Sequence, residues 1–356
     1  MPAIWLIDAY RAGERGQVRA LAQTLAELPG WSLEVKQLEY RQAVVWPHVV
    51  GAASLAGIRS HAAKQLAPPW PDLVITCGVR NEPVCRWLRQ QSGGHTRYVH
   101  VGRPWGPLDS FDLVVTTPQY RVPDRPNVLN NVLTLHRLDA ARLAQAQQLF
   151  APRFSDLSPP YITVNVGGNS GPYTLGPRAG ARLGREVSRL AEERGASLLV
   201  STSARTPVAT TDALAAALRV PHRLYRWQAE DPDNPYLGML ALADEIVVSA
   251  DSIAMLSEAC ATGKPVYMFD LGGMRPAIAV DRDARLGASL YALLMRYGWQ
   301  RLSRDISLVH AALEDAGLAA WLGDPPGSGQ ARSDLDAAVA SVLALVGEPR
   351  APVDVQ

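Results

Sequence analysis

The chain has 356 residues, 47% hydrophobic and 19% charged, with 35 Lys plus Arg against 34 Asp plus Glu and a formal charge of +1. That composition supplies full-sized cores and excludes a chain disordered throughout, and the even spread of charge excludes a nucleic-acid binder that works through a concentrated basic face. A single core seldom grows beyond roughly 250–300 residues, so two domains are expected.

The N-terminus runs straight into an apolar strand at Ala3 to Ile7 and lacks the basic start and long apolar stretch of a secretion signal, which predicts a cytoplasmic protein. Further strands are predicted at Leu33 to Gln37, Leu73 to Thr76, Arg97 to Val101 and Leu113 to Thr116. Helical segments are predicted at Gly16 to Glu27, Gly51 to Ala67 and Glu82 to Gln91. The apolar run Val44 to Ile58 is broken by Pro47 and His48 and falls short of the roughly 20 residues that span a bilayer. It reads as buried packing, with a peripheral membrane contact left open.

Near Phe150 the texture changes. Residues 151–160 carry three prolines and little periodicity, as an interdomain linker would. The alternation then restarts, with strands at Tyr161 to Val166, Ser197 to Ser201, His222 to Arg226, Glu245 to Ser249 and Pro265 to Phe269. Helices are predicted at Arg178 to Glu193, Asp212 to Leu218, Gly238 to Ala243 and Ser252 to Thr262, and a late amphipathic helix at Asp334 to Val346. Strands alternating with crossover helices define an α/β protein with parallel sheets. The expected division is residues 1–150, a linker at 151–160, a second domain at 161–330, and a C-terminal helix and tail at 331–356.

In such sheets ligands bind beyond the carboxyl ends of the strands, so those loops carry the candidates. Asp8 ends the first strand and is a candidate base, or the anchor of an Asx-turn. Arg80, after the strand ending near Cys77, suits an anionic acceptor, and Glu82 a helix cap. Gly167-Gly168-Asn169-Ser170 is either a phosphate loop or a tight turn. Ser201-Thr202-Ser203-Ala204-Arg205 places hydroxyls and a guanidinium at a strand end, for phosphate oxygens or for capping. Asp251 or Ser252 caps a helix that carries Glu258 about two turns in, a carboxylate suited to both hydroxyls of a ribose.

Lys36, Lys64 and Lys264 are the lysines, so 32 of the 35 basic residues are arginine; the bias fits a GC-rich genome, yet Lys264 sits in a Gly-Lys-Pro turn. Cys77, Cys85 and Cys260 fit neither a disulfide framework nor a zinc site. His100 and His136 have no metal-spaced partners, and Asp281-Arg282-Asp283 reads as a solvated loop. Tyr225 and Trp227 suit base stacking or core packing. Leu286, Leu290, Leu293, Leu294 and Tyr297 have helical spacing and read as a packing stripe.

Asn234 to Asp244, Ser257-Glu258-Ala259 and Gly263-Lys264-Pro265-Val266-Tyr267 together resemble the family named after the plant mitochondrial fission factor. Ser203 to Pro207, Gly167-Gly168 and the spaced Asp8, Gly13 and Gln17 match it too. The resemblance runs in order from Trp5 to about Arg301, stronger in the second half. That family is in turn similar to GT-B glycosyltransferases, two Rossmann-like domains facing across a cleft. The resemblance implies a nucleoside-diphosphate sugar of UDP or GDP type as substrate and no required metal or cofactor. It puts Glu258 on the ribose, and Ser252 and Ser257 near the phosphates. Gly167 and Gly168 form the opposite wall, Arg205 sits on the leaving diphosphate, and Asn169, Ser203 and Lys264 complete the donor side. The first domain then takes an unidentified acceptor, with Asp8 as base and Gly13, Gln17 and Arg80 on the acceptor side. A nucleotide-sugar epimerase and a noncatalytic adaptor are the alternatives. The expected location is the cytoplasm, at the inner face of the membrane if a contact is made.

Overall fold

The computed structural model describes residues 2–9, 12–41, 51–272, 283–298 and 303–347. Residues 44–50 of the apolar run, and Asp281 and Arg282, lie outside the described residues. The chain divides into two compact units, Met1–Arg137 with Ser333–Gln356, and Leu138–Arg332.

In the first unit β1 (Ala3–Ile7), β2 (Ser32–Lys36), β3 (Leu73–Cys77), β4 (Arg97–Val101), β5 (Leu113–Thr116) and β6 (Val128–Asn130) form one sheet in the order β2-β1-β3-β4-β5-β6. Every pair is parallel. Central strands of a parallel sheet are covered on both faces, and the unbroken burial of Leu-Val-Ile-Thr-Cys in β3 shows why they read as continuous apolar runs. On one face α1 (Ala12–Ala26) packs Val18, Leu21 and Leu25 with Ala338 and Val342 from the last helix, which we label α11 (Asp334–Gly347). The other face covers Val74, Tyr98 and Val114 with Val84, Cys85 and Leu88 of α3 (Glu82–Gln91). The Asp334 carboxylate accepts the Leu133 amide (2.6 Å) and the Asp334 carbonyl accepts from Asn131, so the C-terminal helix is part of the first core.

The second unit contains β7 (Tyr161–Val166), β8 (Ser197–Thr202), β9 (His222–Tyr225), β10 (Glu245–Ser249), β11 (Val266–Phe269) and β12 (Ala320–Trp321). Its sheet runs β12-β11-β10-β7-β8-β9, again all parallel. Counted from its own first strand this is the 3-2-1-4-5-6 order of a Rossmann fold, with the reversal between β7 and β10. α5 (Pro177–Arg194) buries Ala179, Leu183, Val187 and Ala191 against Ile162, Val164 and Val166.

Three sequence expectations change. The helix expected over 51–67 reduces to α2 (Ser60–Ala63), because neighbouring backbone is spent on other partners: the Ser54 amide on Pro83 and the Gly57 carbonyl on Arg41. The unit boundary lies at 137/138 rather than near 150. α4 (Ala140–Phe150) opens on Asp139, whose carboxylate accepts the Arg142 amide at 2.7 Å, and Phe150, Phe154 and Leu157 bury against Leu199 and Met239. Residues 151–160 therefore belong to the second unit, with Phe154 and Leu157 in its core and the three prolines exposed. Finally, Leu286, Leu290, Leu293 and Tyr297 lie on α9 (Leu286–Tyr297) but face solvent, while Ala288 faces in.

α4 packs closely on α7 (Tyr236–Leu242), because Gly238 leaves no side chain between the helices; a Cβ there would overlap Phe150. Helix propensity alone favours Gly→Ala by roughly 0.5–1 kcal/mol. Gly238→Ala is instead expected to destabilise by about 1–3 kcal/mol through overpacking, measured as a fall in Tm.

Candidate functional site

The reversal between β7 and β10 leaves a crevice at their carboxyl ends, and the residues that follow both strands meet there. Gly167 and Gly168 follow β7, Asp251 and Ser252 follow β10, and Ser203 to Thr206 follow β8. Asp251 ties the three together. Its buried carboxylate accepts the Gly168 amide (2.8 Å) and the Ser249 hydroxyl (2.8 Å), and pairs with Arg205 (3.1 Å). The Ser249 oxygen in turn accepts the Gly167 amide (2.7 Å). Burial pushes the Asp251 pKa up, and Arg205 is the largest opposing influence.

The diglycine therefore serves this carboxylate. Both amides have protein partners, and a Cβ at Gly167 would run into Asp251 while one at Gly168 would overlap the Arg205 carbonyl. Ser203 donates to the Gly167 carbonyl (2.9 Å), and Thr206 donates to that of Val166 (3.0 Å). Asn169 accepts the Leu175 amide through its side chain and Arg205 through its carbonyl. Arg205 is held from beneath yet its side chain remains 43% exposed, so it can meet a further anion.

α8 (Ile253–Ala261) starts at Ser252, whose side chain makes no capping bond and is left at the positive end of the helix. Six residues on, Glu258 accepts the Tyr236 hydroxyl at 2.5 Å. Burial raises the Glu258 pKa, and the Tyr236 bond pulls it part of the way back. Two other residues expected on the donor side have structural duties. Ser257 is buried and donates to Ile253 of its own helix (2.9 Å). Lys264 donates to the carbonyls of Leu240 (3.0 Å) and Ala241 (2.7 Å), capping the last turn of α7. Burial lowers the Lys264 pKa. Trp227 is exposed just past β9, its amide on Thr202, so the stacking alternative stays open there.

Asp283 is not a solvated loop residue: its carboxylate takes the amides of Gly176 (3.1 Å), Arg178 (3.2 Å) and Ala179 (2.9 Å), filling the N-terminus of α5. Asp251, expected only as a helix cap, Asp283, expected in a solvated loop, and Tyr236 hold bonds that the sequence did not assign to them. The strand end before it was the available signal for Asp251, whereas nothing local marks Asp283 or Tyr236, whose partners lie far along the chain.

In the first unit the order 2-1-3-4-5-6 reverses between β1 and β3, where Asp8 and Asn81 meet. Asp8 accepts Arg19 (2.6 Å) and its neighbour Ala9 (2.9 Å), with Arg15 at 3.4 Å. Both carboxylate oxygens thus accept hydrogen bonds, from the Ala9 amide and from Arg19 of α1. Buried Asn81, another residue missed from the sequence, donates to Thr76 (2.7 Å), Cys77 (3.1 Å) and the Asp8 carbonyl (3.3 Å). Gly13 and Gln17 are one turn apart on α1, joined by a Gln17-to-Gly13 bond. The Arg80 guanidinium stands 5.8 Å from the Tyr40 ring centroid. His100 is a buried structural residue bonded to Tyr98 and the Arg103 carbonyl. Among the described residues there is no group of three metal-ligating side chains, and no helix long and apolar enough to cross a membrane.

Two Rossmann-like parallel units with these strand orders define the GT-B class of α/β proteins. Solved structures of that architecture match along nearly the whole chain. An S. aureus MnaA structure with UDP superposes at TM-score 0.50 with 12% identity, covering 98% of this chain and 99% of that one. The UDP-GlcNAc 2-epimerase of Methanocaldococcus jannaschii superposes at TM-score 0.53 with 10% identity, covering 96% and 99%. The mitochondrial fission ELM1 family model matches residues 12–321, and the chain belongs to that family. It is 27% identical over 245 residues to the mitochondrial fission protein ELM1 of Arabidopsis thaliana, covering 61% of this chain and 55% of that protein's length. It is 24% identical over 298 residues to the uncharacterized protein RP120 of Rickettsia prowazekii, covering 75% and 82%.

The capping role of Lys264 separates stability from binding. Lys264→Met is expected to cost about 1–2 kcal/mol, in the range of lost charge-assisted hydrogen bonds, read as a lower Tm. It should leave the shift in Tm produced by any nucleotide unchanged.

Proposed function

We propose that the second unit binds the nucleoside diphosphate of a nucleotide sugar at the β7/β10 reversal, and that the protein transfers the sugar to an acceptor hydroxyl. What supports this reading is an exposed guanidinium, Arg205, and an uncapped helix start, Ser252, on the loops at a topological switch point, with the Glu258 carboxylate six residues along that helix. Six residues of helix separate Ser252 from Glu258, about 9 Å along the axis, a span suited to a diphosphate at one end and a ribose at the other. Glu258 would accept the ribose hydroxyls while Tyr236 orients it.

In the reaction the acceptor oxygen bonds to the anomeric carbon as the bond from that carbon to the diphosphate oxygen breaks. The electron pair leaves with the diphosphate, and the acceptor proton passes to a base. Arg205 and the α8 N-terminus would stabilise the leaving charge, the metal-independent way to do so. A second reading, a noncatalytic adaptor, is favoured by the Gly167 and Gly168 amides, which Ser249 and Asp251 already occupy. An epimerase would release an altered nucleotide sugar without any acceptor, so product analysis separates it from a transferase.

A panel of UDP, GDP, ADP, CDP and dTDP tests the binding step. The matching nucleotide, at a hundredfold excess over Kd, adds about 2.7 kcal/mol to stability and raises Tm by several degrees; Glu258→Ala should abolish the rise. No shift across the panel would overturn the donor site and favour the adaptor.

Glu258 must be ionised to accept two hydroxyls. Affinity is therefore full above its pKa, which burial has raised, and declines as pH falls through it. Tyr236→Phe removes the bond that lowers that pKa, so the acidic loss of nucleotide affinity should move to higher pH. Titration calorimetry across the acidic range checks the direction.

A further inference from the structure

The apolar stripe of α9 has the spacing of a packed face but the exposure of a surface one. Leu286 is 79% exposed, Leu290 59%, Leu293 56% and Tyr297 71%. At i, i+4, i+7 and i+11 these side chains share one narrow arc of the helix and run about 16 Å along it. Contiguous exposed apolar surface of this kind marks an interaction site.

The opposite face is anchored. Ala288 is buried, the Tyr291 hydroxyl accepts the Arg304 amide (2.8 Å), and Arg285 donates to the Gly171 carbonyl (2.8 Å). Arg304 also donates to Ser170 (2.5 Å). The helix is thus fixed on the loop that follows the diglycine, and its outward stripe is part of a rigid element.

Charge selects the occupant. Residues 281–304 contain five arginines and two aspartates. Asp283 is turned inward onto the amides of α5, whereas Arg285 and Arg304 bond a carbonyl and a hydroxyl rather than a carboxylate. α9 itself has no acidic residue, and its one charged side chain, Arg296, is exposed beside Tyr297. Leucines flanked by an aromatic ring and an exposed arginine, with no acid on the helix, match the boundary of an anionic bilayer, where apolar groups enter the acyl region and arginine stays with the headgroups.

We propose that α9 docks the second unit onto an anionic lipid membrane through Leu286, Leu290, Leu293 and Tyr297, with Arg296 at the headgroups. Docking holds the Asn169 to Tyr173 loop beside the bilayer. The proposal is independent of the nucleotide reading.

Co-sedimentation of the full chain with vesicles of phosphatidylcholine and phosphatidylglycerol, and with phosphatidylcholine alone, tests it. The wild type should pellet with the anionic vesicles and little with the neutral ones. Leu290→Glu with Leu293→Glu, both exposed and therefore compatible with folding, should cut binding about tenfold or more with circular dichroism and Tm retained. Arg296→Ala should weaken the preference for anionic lipid. Wild type remaining in the supernatant, or equal binding by the double variant, overturns the proposal. So does a wild-type dimer in sedimentation velocity that the double variant splits, since the stripe would then cover a second copy of the chain.

Discussion

The second unit is organised around a carboxylate that has left water. Asp251 is buried at the ends of three parallel strands, and a charge placed there is tolerable only when hydrogen bonds and a counter-charge replace its hydration. The Gly168 amide, the Ser249 hydroxyl and Arg205 supply that replacement, one from each strand end. The diglycine follows from this, since any side chain at either position would collide with the assembly. The placement of Arg205 follows as well: its charge is committed to Asp251 on one side and open to solvent on the other. A guanidinium fixed before a ligand arrives has little reorganisation left to undergo, which makes it effective toward a developing phosphate charge.

The parallel architecture was legible because its physics is local. Strands covered on both faces must be continuously apolar, and β3, β7, β8 and β10 stand out between turn residues for that reason. The unit boundary was less legible. Ala140–Phe150 becomes part of the second core only through Leu199 and Met239, far along the chain, and α11 returns to the first core through Asp334 and Leu133. Neither closure leaves a periodic mark in the segment that makes it.

The site divides in the same way. Arg205, Ser252 and Glu258 were proposed because strand ends and helix starts are visible in sequence, and chemistry collects there in such sheets. Lys264 and Ser257 stood in the same motif, yet the fold directs Lys264 to the carbonyls of α7 and Ser257 back onto its own helix. A motif shows which residues occur together. Whether a side chain serves a ligand or the scaffold depends on partners that the motif does not contain. α9 carries the same lesson in reverse: helical spacing identified an apolar face correctly, but spacing carries no information about which face the rest of the chain covers.

The first unit contains a parallel to Asp251 that clarifies its role. Glu82 is also buried and also holds strand-end backbone, accepting the amides of Trp105 (2.7 Å) and Gly106 (2.8 Å) beyond β4. Its arginine partner is Arg86, at 3.3 Å. Arg86, however, is buried with its carboxylate, whereas Arg205 is open. Two units of similar topology therefore use a buried carboxylate–arginine pair for one structural purpose, fastening a loop at the carboxyl edge of the sheet. In the first unit the pair is sealed from solvent. In the second, the same device leaves a guanidinium facing outward at the switch point, next to an uncapped helix start. The difference between the two pairs rests on the exposure of one side chain rather than on the fold the two units share.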